Sequence, residues 1–145
     1  MADDSWVGFS RSPKPDRNLV RASFEVTLVS WMPIVEQFAF ASTAAGLSAW
    51  LGPVIKANLK VAGKLEFLGE FFGLAVFTHV ELGKRVVINS ERWGEVSMTF
   101  KEKRARNELE LSFTKMVSPE AKSRFLDDVE QVTSVLEFHL GADRE

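Results

Sequence analysis

Two histidines, His79 and His139, are the side chains here best suited to exchange a proton near neutrality, and the chain has no cysteine. In THVEL, a parity with Phe72, Leu74, Val76, Thr78 and Val80 inward sends His79 and Glu81 to a wetter face. His139 falls near the end of a C-terminal helical stripe, where a cation complements the helix dipole. Neither has a second histidine at ligand spacing, and HExxH and HxxxH are absent. The expectation is no metal, no cofactor and no catalytic residue, with disulfides and thiol chemistry excluded. Gly69 and Gly73 in GEFFG form no phosphate-binding loop. Asp127, Asp128 and Glu130 scatter around a helix's polar side and read as a solvated face; KEKRARN, residues 101–107, reads as a solvated hairpin tip. What remains is Arg85, Asn89, Arg92 and Trp93, clustered around the connection after the fifth strand. These, with His79, are candidate polar hooks at a cavity rim.

The elements that must position them follow from periodicity. Residues 1–17 lack any period and read as a flexible leader carrying two large aromatics, Trp6 and Phe9, able to dock on the domain. From Leu19 to Val29 the pattern alternates, with Ala22, Phe24, Val26 and Leu28 on one side. Two short helices follow, the first opening at Pro33 with Ile34, Phe38 and Ala41 on its apolar face, the second carrying Leu47, Trp50 and Leu51 and stopped by Gly52-Pro53. About six strands come next. VIKANLKV alternates Ile55, Ala57, Leu59 and Val61 against lysines; Ala62-Gly63 turns the chain into KLEFLGE, with Leu65 and Phe67 inward. Val96, Met98 and Phe100 mark one later strand, and Leu109, Leu111 and Phe113 another. Ser118 and Pro119 open a long helix that Gly141 ends, with Ala121, Phe125, Val129, Val132, Leu136 and Leu140 on one stripe. Phe138 falls off that stripe and is expected to face away from the sheet, leaving 142–145 as a tail.

At 145 residues the chain has room for one α+β domain, read as 18–141, and its 46% hydrophobic and 26% charged residues are those of a globular protein. Eighteen Lys and Arg against 20 Asp and Glu argue against a general nucleic-acid or anionic-membrane binder, which needs a concentrated positive face. No apolar run is long enough for a spanning helix and the acidic start MADDSW is unlike a secretory signal, so membrane insertion is not expected and a cytoplasmic setting is.

The order of elements, the WLGP segment at Trp50 to Pro53, the Ala62-Gly63 turn and the terminal helix resemble the START-like or SRPBCC superfamily. Its helix-grip fold is shared by polyketide cyclase-like and birch-pollen-allergen-like proteins and by bacterial homologues of the heat-shock-protein-90 ATPase activator, the branch this chain most resembles. That branch commonly has two glycines at the turn where this chain has Ala62-Gly63, and often a second Trp where it has Leu51. The resemblance implies a curved antiparallel sheet of about seven strands gripping the terminal helix, with an apolar cavity between them for a lipid, polyketide or aromatic ligand. Inward parity nominates Trp50, Phe67, Thr78, Met98, Phe100, Phe113, Phe125, Val129, Val132 and Leu136 as its lining. The expected function is binding of such a ligand. A polyketide cyclase-like enzyme and an activator of a heat-shock ATPase acting through its surface are the alternatives, and a weak homodimer or a protein partner is compatible with each.

Overall fold

A computed structural model describes residues 18–69 and 73–145. The leader, with Trp6 and Phe9, lies outside the described residues, as does Phe72. The elements are β1 (Val20–Ser30), α1 (Ile34–Ser42), α2 (Ala44–Trp50), β2 (Val54–Ala57), β3 (Lys64–Phe67), β4 (Ala75–Glu81), β5 (Arg85–Ser90), β6 (Gly94–Lys101), β7 (Asn107–Val117), α3 (Lys122–Leu140) and β8 (Asp143–Arg144). They form one antiparallel sheet in the order β2-β3-β4-β5-β6-β7-β1-β8, with β1 leaving the chain's start to pair with β7 near its end. This is the helix-grip architecture: α3 runs along β1 and α2 and covers the apolar face of the sheet.

Regular alternation holds wherever the strands pair without interruption. Val96, Met98 and Phe100 of β6 and Leu109, Leu111 and Phe113 of β7 are all buried in one core cluster, while the residues between them are half-buried or exposed. Two strands depart from the expected phase, both at bulges, where one extra residue on one strand moves its side chains to the other face. In β2 the register shifts between Val54 and Lys56, so Val54 points inward and Ile55 is 59% exposed, with Val61 beyond the strand also exposed. In β4 the shift lies between Phe77 and His79. Before it, Ala75 and Phe77 face the core, which places Leu74 and Thr78 outside; after it, Val80 packs on the core and His79 pairs with Glu81 on the outer side. The Thr78 hydroxyl donates to the Val87 carbonyl (3.4 Å), so Thr78 is not a lining residue.

The helices follow their capping residues. Thr43 caps α2, its hydroxyl accepting from the Gly46 amide (2.9 Å). A 3-10 turn over Pro119–Ala121 precedes α3, and Gly141, at φ 59°, ends α3 in the left-handed conformation. The buried stripe of α3 is Phe125, Val129, Thr133, Leu136 and Leu140, with Val132 only partly buried and Ala121 exposed; Phe138 is 83% exposed, off the stripe as its phase requires. The buried Ser30 hydroxyl donates to the Leu140 carbonyl (2.6 Å) and fixes the C-terminus of α3 on the end of β1.

The residues expected as a tail instead add the short strand β8 to the free edge of β1, covering backbone groups that an edge strand leaves open. Arg144 anchors it, its guanidinium donating to Glu137 (2.9 Å) and gripping Glu130 with two nitrogens. The hydrogen bond from Arg144 is the main reason that the Glu130 carboxyl is held below its ordinary value of 4.5. Because the unfolded chain then binds more protons than the folded one near that value, the contribution is complete above 4.5 and is lost as pH falls below it. Arg144→Gln is therefore expected to be less stable than wild type at neutral pH, with the deficit narrowing in urea titrations made progressively below 4.5. A deficit independent of pH would assign the role of Arg144 to packing.

Candidate functional site

The nominated lining residues separate into two groups. Met98, Phe100, Phe113, Phe125, Val129 and Leu136 are buried in the core, and Phe67 packs against it. Their rings meet one another edge-on or tilted: Phe38 with Phe100 at 5.3 Å between centroids, Trp93 with Phe113 at 5.8 Å, Trp50 with Phe113 at 6.3 Å and Trp93 with Phe125 at 6.4 Å. These contacts place aromatic mass at the centre of the space between the sheet and α3. Trp50, buried in the same core, and the partly buried Val132 also reach the wall of a surface groove of about 520 Å³ that runs between the residues closing α2 and one flank of α3. Leu51, Pro53 and Val135 extend its apolar walls.

Arg92 and Trp93 stand at one end of this groove, on the β5–β6 turn. The turn is built to hold them. Its Ser90 hydroxyl accepts from the Trp93 amide (2.9 Å), and Gly94 takes φ +70° where a Cβ would meet the Thr114 carbonyl oxygen at 2.4 Å. The Trp93 indole donates to the Leu51 carbonyl (3.1 Å), tying the turn to the WLGP segment, while the Trp50 indole donates to the Phe40 carbonyl (2.9 Å) and ties that segment to α1. The Arg92 guanidinium stacks on the Trp93 ring at 4.1 Å and donates through Nη2 to Asp128 Oδ2 of α3 (2.9 Å). Lys115 of β7 adds a second cation, its ammonium donating to the Arg92 carbonyl (3.2 Å) and lying 5.7 Å from the centre of the Phe125 ring. Burial first, and the Arg92 charge second, hold Lys115 below its ordinary value of 10.5.

The other proposed hooks lie elsewhere. Arg85 and Asn89 are exposed on β5, opposite in parity to the buried Val86 and Ile88, and Arg85 reaches Ser97 on the outer face. His79 is on that outer face too, its ring 2.7 Å from Glu81, whose carboxyl this contact holds below the ordinary range. His139 lies against Phe40 and Phe138 at the far end of α3. Asp128, read from sequence as one of a solvated acidic run, is the neighbour of Arg92 that pattern alone missed: the two are 36 residues apart in the chain. A larger hollow of about 610 Å³ opens on the outer face of the sheet, but Glu25, Thr27, Ser97, Thr99, Glu110 and Ser112 make it chiefly polar, unsuited to an apolar ligand. Among the described residues no group of three carboxylates or histidines is placed to hold a metal ion, and no helix is long and apolar enough to cross a membrane.

This arrangement of an antiparallel sheet closed on a long C-terminal helix is the helix-grip fold. Solved structures of the same fold include an HSP90 activator from Plasmodium falciparum, 18% identical, with a TM-score of 0.62 over 86% of this chain and 99% of that one. CalU16 from Micromonospora echinospora is 17% identical, with a TM-score of 0.65 over 84% of this chain and 74% of its own. The Bacillus halodurans protein BH1534 is 14% identical, with a TM-score of 0.64 over 85% and 99%. The sequence matches no protein-family model and no curated protein.

Proposed function

We propose that this chain binds a hydrophobic small molecule, of lipid, polyketide or aromatic type, in the groove between the WLGP segment and α3. The observation that carries the reading is the Arg92 guanidinium stacked on Trp93 at the end of an apolar trough walled by Trp50, Leu51, Pro53, Val132 and Val135. A mostly apolar hollow with a few fixed polar groups is the usual form of a small-molecule site. The proposed site flanks α3 instead of lying beneath it, where aromatic rings meet. Binding is favoured over cyclase-like catalysis because proton transfer needs a free acid or base within reach of the ligand: both histidines point elsewhere, and the Asp128 carboxylate in the groove is held by Arg92 at 2.9 Å.

Nile red, an uncharged fluorescent hydrophobe, is expected to bind with a blue-shifted emission that Val135→Arg weakens by about tenfold or more, since the charge would have to be buried beside the probe. Val135 is 41% exposed, so the thermal midpoint should hardly move. Absence of Nile red binding, or equal binding by both proteins, would refute the groove.

A second reading, action on a heat-shock ATPase through the surface, draws on a different feature. Trp31, Val35 and Leu82 are 73%, 77% and 75% exposed. They belong to one end of the sheet, where Ile34 and the β4–β5 turn share a hollow. Stimulation of such an ATPase by Val135→Arg as well as by wild type would favour this surface over the groove.

A further inference from the structure

We propose, resting on the groove reading above, that the ligand is an amphiphile ending in a carboxylate, and that its head group exchanges with Asp128 on Arg92. The geometry of the groove end points to this class in three ways. The Trp93 ring at 4.1 Å fixes the plane of the Arg92 guanidinium, which leaves its edge as the donor surface. A guanidinium edge held in one plane matches the two oxygens of a carboxylate better than it matches a hydroxyl or a carbonyl. That edge already holds a carboxylate: Asp128 Oδ2 accepts from Nη2 at 2.9 Å, and both Arg92 and Asp128 line the groove. Asp128 therefore marks where a ligand carboxylate would sit, and it is the internal competitor for that place.

Lys115 supports the turn from outside the groove lining, its ammonium bonded to the Arg92 carbonyl and lying against the Phe125 ring. From Arg92 the walls run through Trp50, Leu51 and Pro53 on one side and Val132 and Val135 on the other, a course for an apolar tail. An alkylamine would instead bring a second cation to Arg92. An alcohol of the same length would gain the walls but only a neutral hydrogen bond at the head.

The test is displacement of Nile red by dodecanoate, dodecan-1-ol and dodecylamine, each below its aggregation concentration and at a pH where the acid is ionised. Dodecanoate is expected to displace the probe at a concentration about tenfold lower than dodecan-1-ol, with the amine weakest, because a charge-assisted bond replaces a neutral one. Arg92→Gln should remove the preference for the acid, weakening dodecanoate far more than the alcohol, which loses only a neutral hydrogen bond. Arg92→Lys, which keeps the charge without the planar fork, should retain only part of it. Asp128→Asn should act in the opposite sense, tightening dodecanoate several-fold with the alcohol unaffected. Equal displacement by acid and alcohol overturns the carboxylate while the groove stands; failure of Nile red to bind wild type overturns the groove itself. If Asp128→Asn weakens acid and alcohol alike, Asp128 only buttresses α3 and the exchange is wrong.

Discussion

Trp50→Ala is expected to cost about 3 to 5 kcal/mol of folding stability, the range for deleting a large aromatic from a core. Trp50 is 4% exposed, its ring stands at 88° to Phe113 with centroids 6.3 Å apart, and its indole N–H donates to the Phe40 carbonyl at 2.9 Å. One side chain thus joins α2 to α1 and to β7. Alanine would leave a cavity that rigid neighbours cannot fill, and would take from the Phe40 carbonyl its side-chain donor. Trp50→Phe separates the two effects: it keeps most of the ring contact, loses the hydrogen bond and should cost about 1 to 2 kcal/mol. Urea denaturation of the three proteins measures this, an unchanged slope establishing that stability alone has moved. A loss below about 1 kcal/mol for the alanine variant would mean that Trp50 is a removable wall of the groove with no part in closing the core.

The strands that could be read from sequence are those whose pairing is uninterrupted. In β6 and β7 every expected inward residue from Val96 to Phe113 is buried, because a period of two survives along a regular ladder. FGLAVFTHVEL offered no such guide, being apolar on both parities, and the shift between Phe77 and His79 lets each parity be right on one side of the bulge. Hence Val80 and His79 fell where expected while Thr78 did not. The two residues of β8 are too few for any period. On the helices, counting apolar residues alone passed over Gln37 and Thr133, which are 1% and 0% exposed. At the site, an Arg-Trp pair beside a glycine turn was visible as a candidate, but strand alternation turned Arg85 and Asn89 outward. Its carboxylate partner, supplied by α3, depends on how the helix crosses the turn, and no local pattern encodes that crossing.

Gly63→Ala should be strongly destabilising and its neighbour Ala62→Gly stabilising, two opposite effects within one turn. A Cβ at residue 63 would lie 1.9 Å from the Asn58 carbonyl oxygen and 2.8 Å from that of Lys60. Both are backbone atoms of the loop between β2 and β3, which cannot rotate aside. That loop is also stitched to β4, the Ala62 amide donating to the Phe77 carbonyl (2.8 Å) and the Phe77 amide to the Gly63 carbonyl (2.9 Å). Relieving the clash means giving up part of this lattice, so a cost of about 3 kcal/mol is expected, at the upper end for forcing a carbon into filled space. Ala62, by contrast, already stands in the left-handed region, at φ 67°. An L-residue with a Cβ is about 1 to 2 kcal/mol less favourable there than glycine. Part of that gain is offset by the extra freedom glycine has in the unfolded chain, leaving a net stabilisation of about 0.5 to 1 kcal/mol. The two-glycine turn that this segment resembles is therefore the relaxed form, and this chain carries strain at its first position. Urea midpoints of Gly63→Ala, Ala62→Gly and wild type decide the matter. A destabilised Ala62→Gly would show that the Ala62 methyl group makes a contact worth more than the backbone strain it imposes.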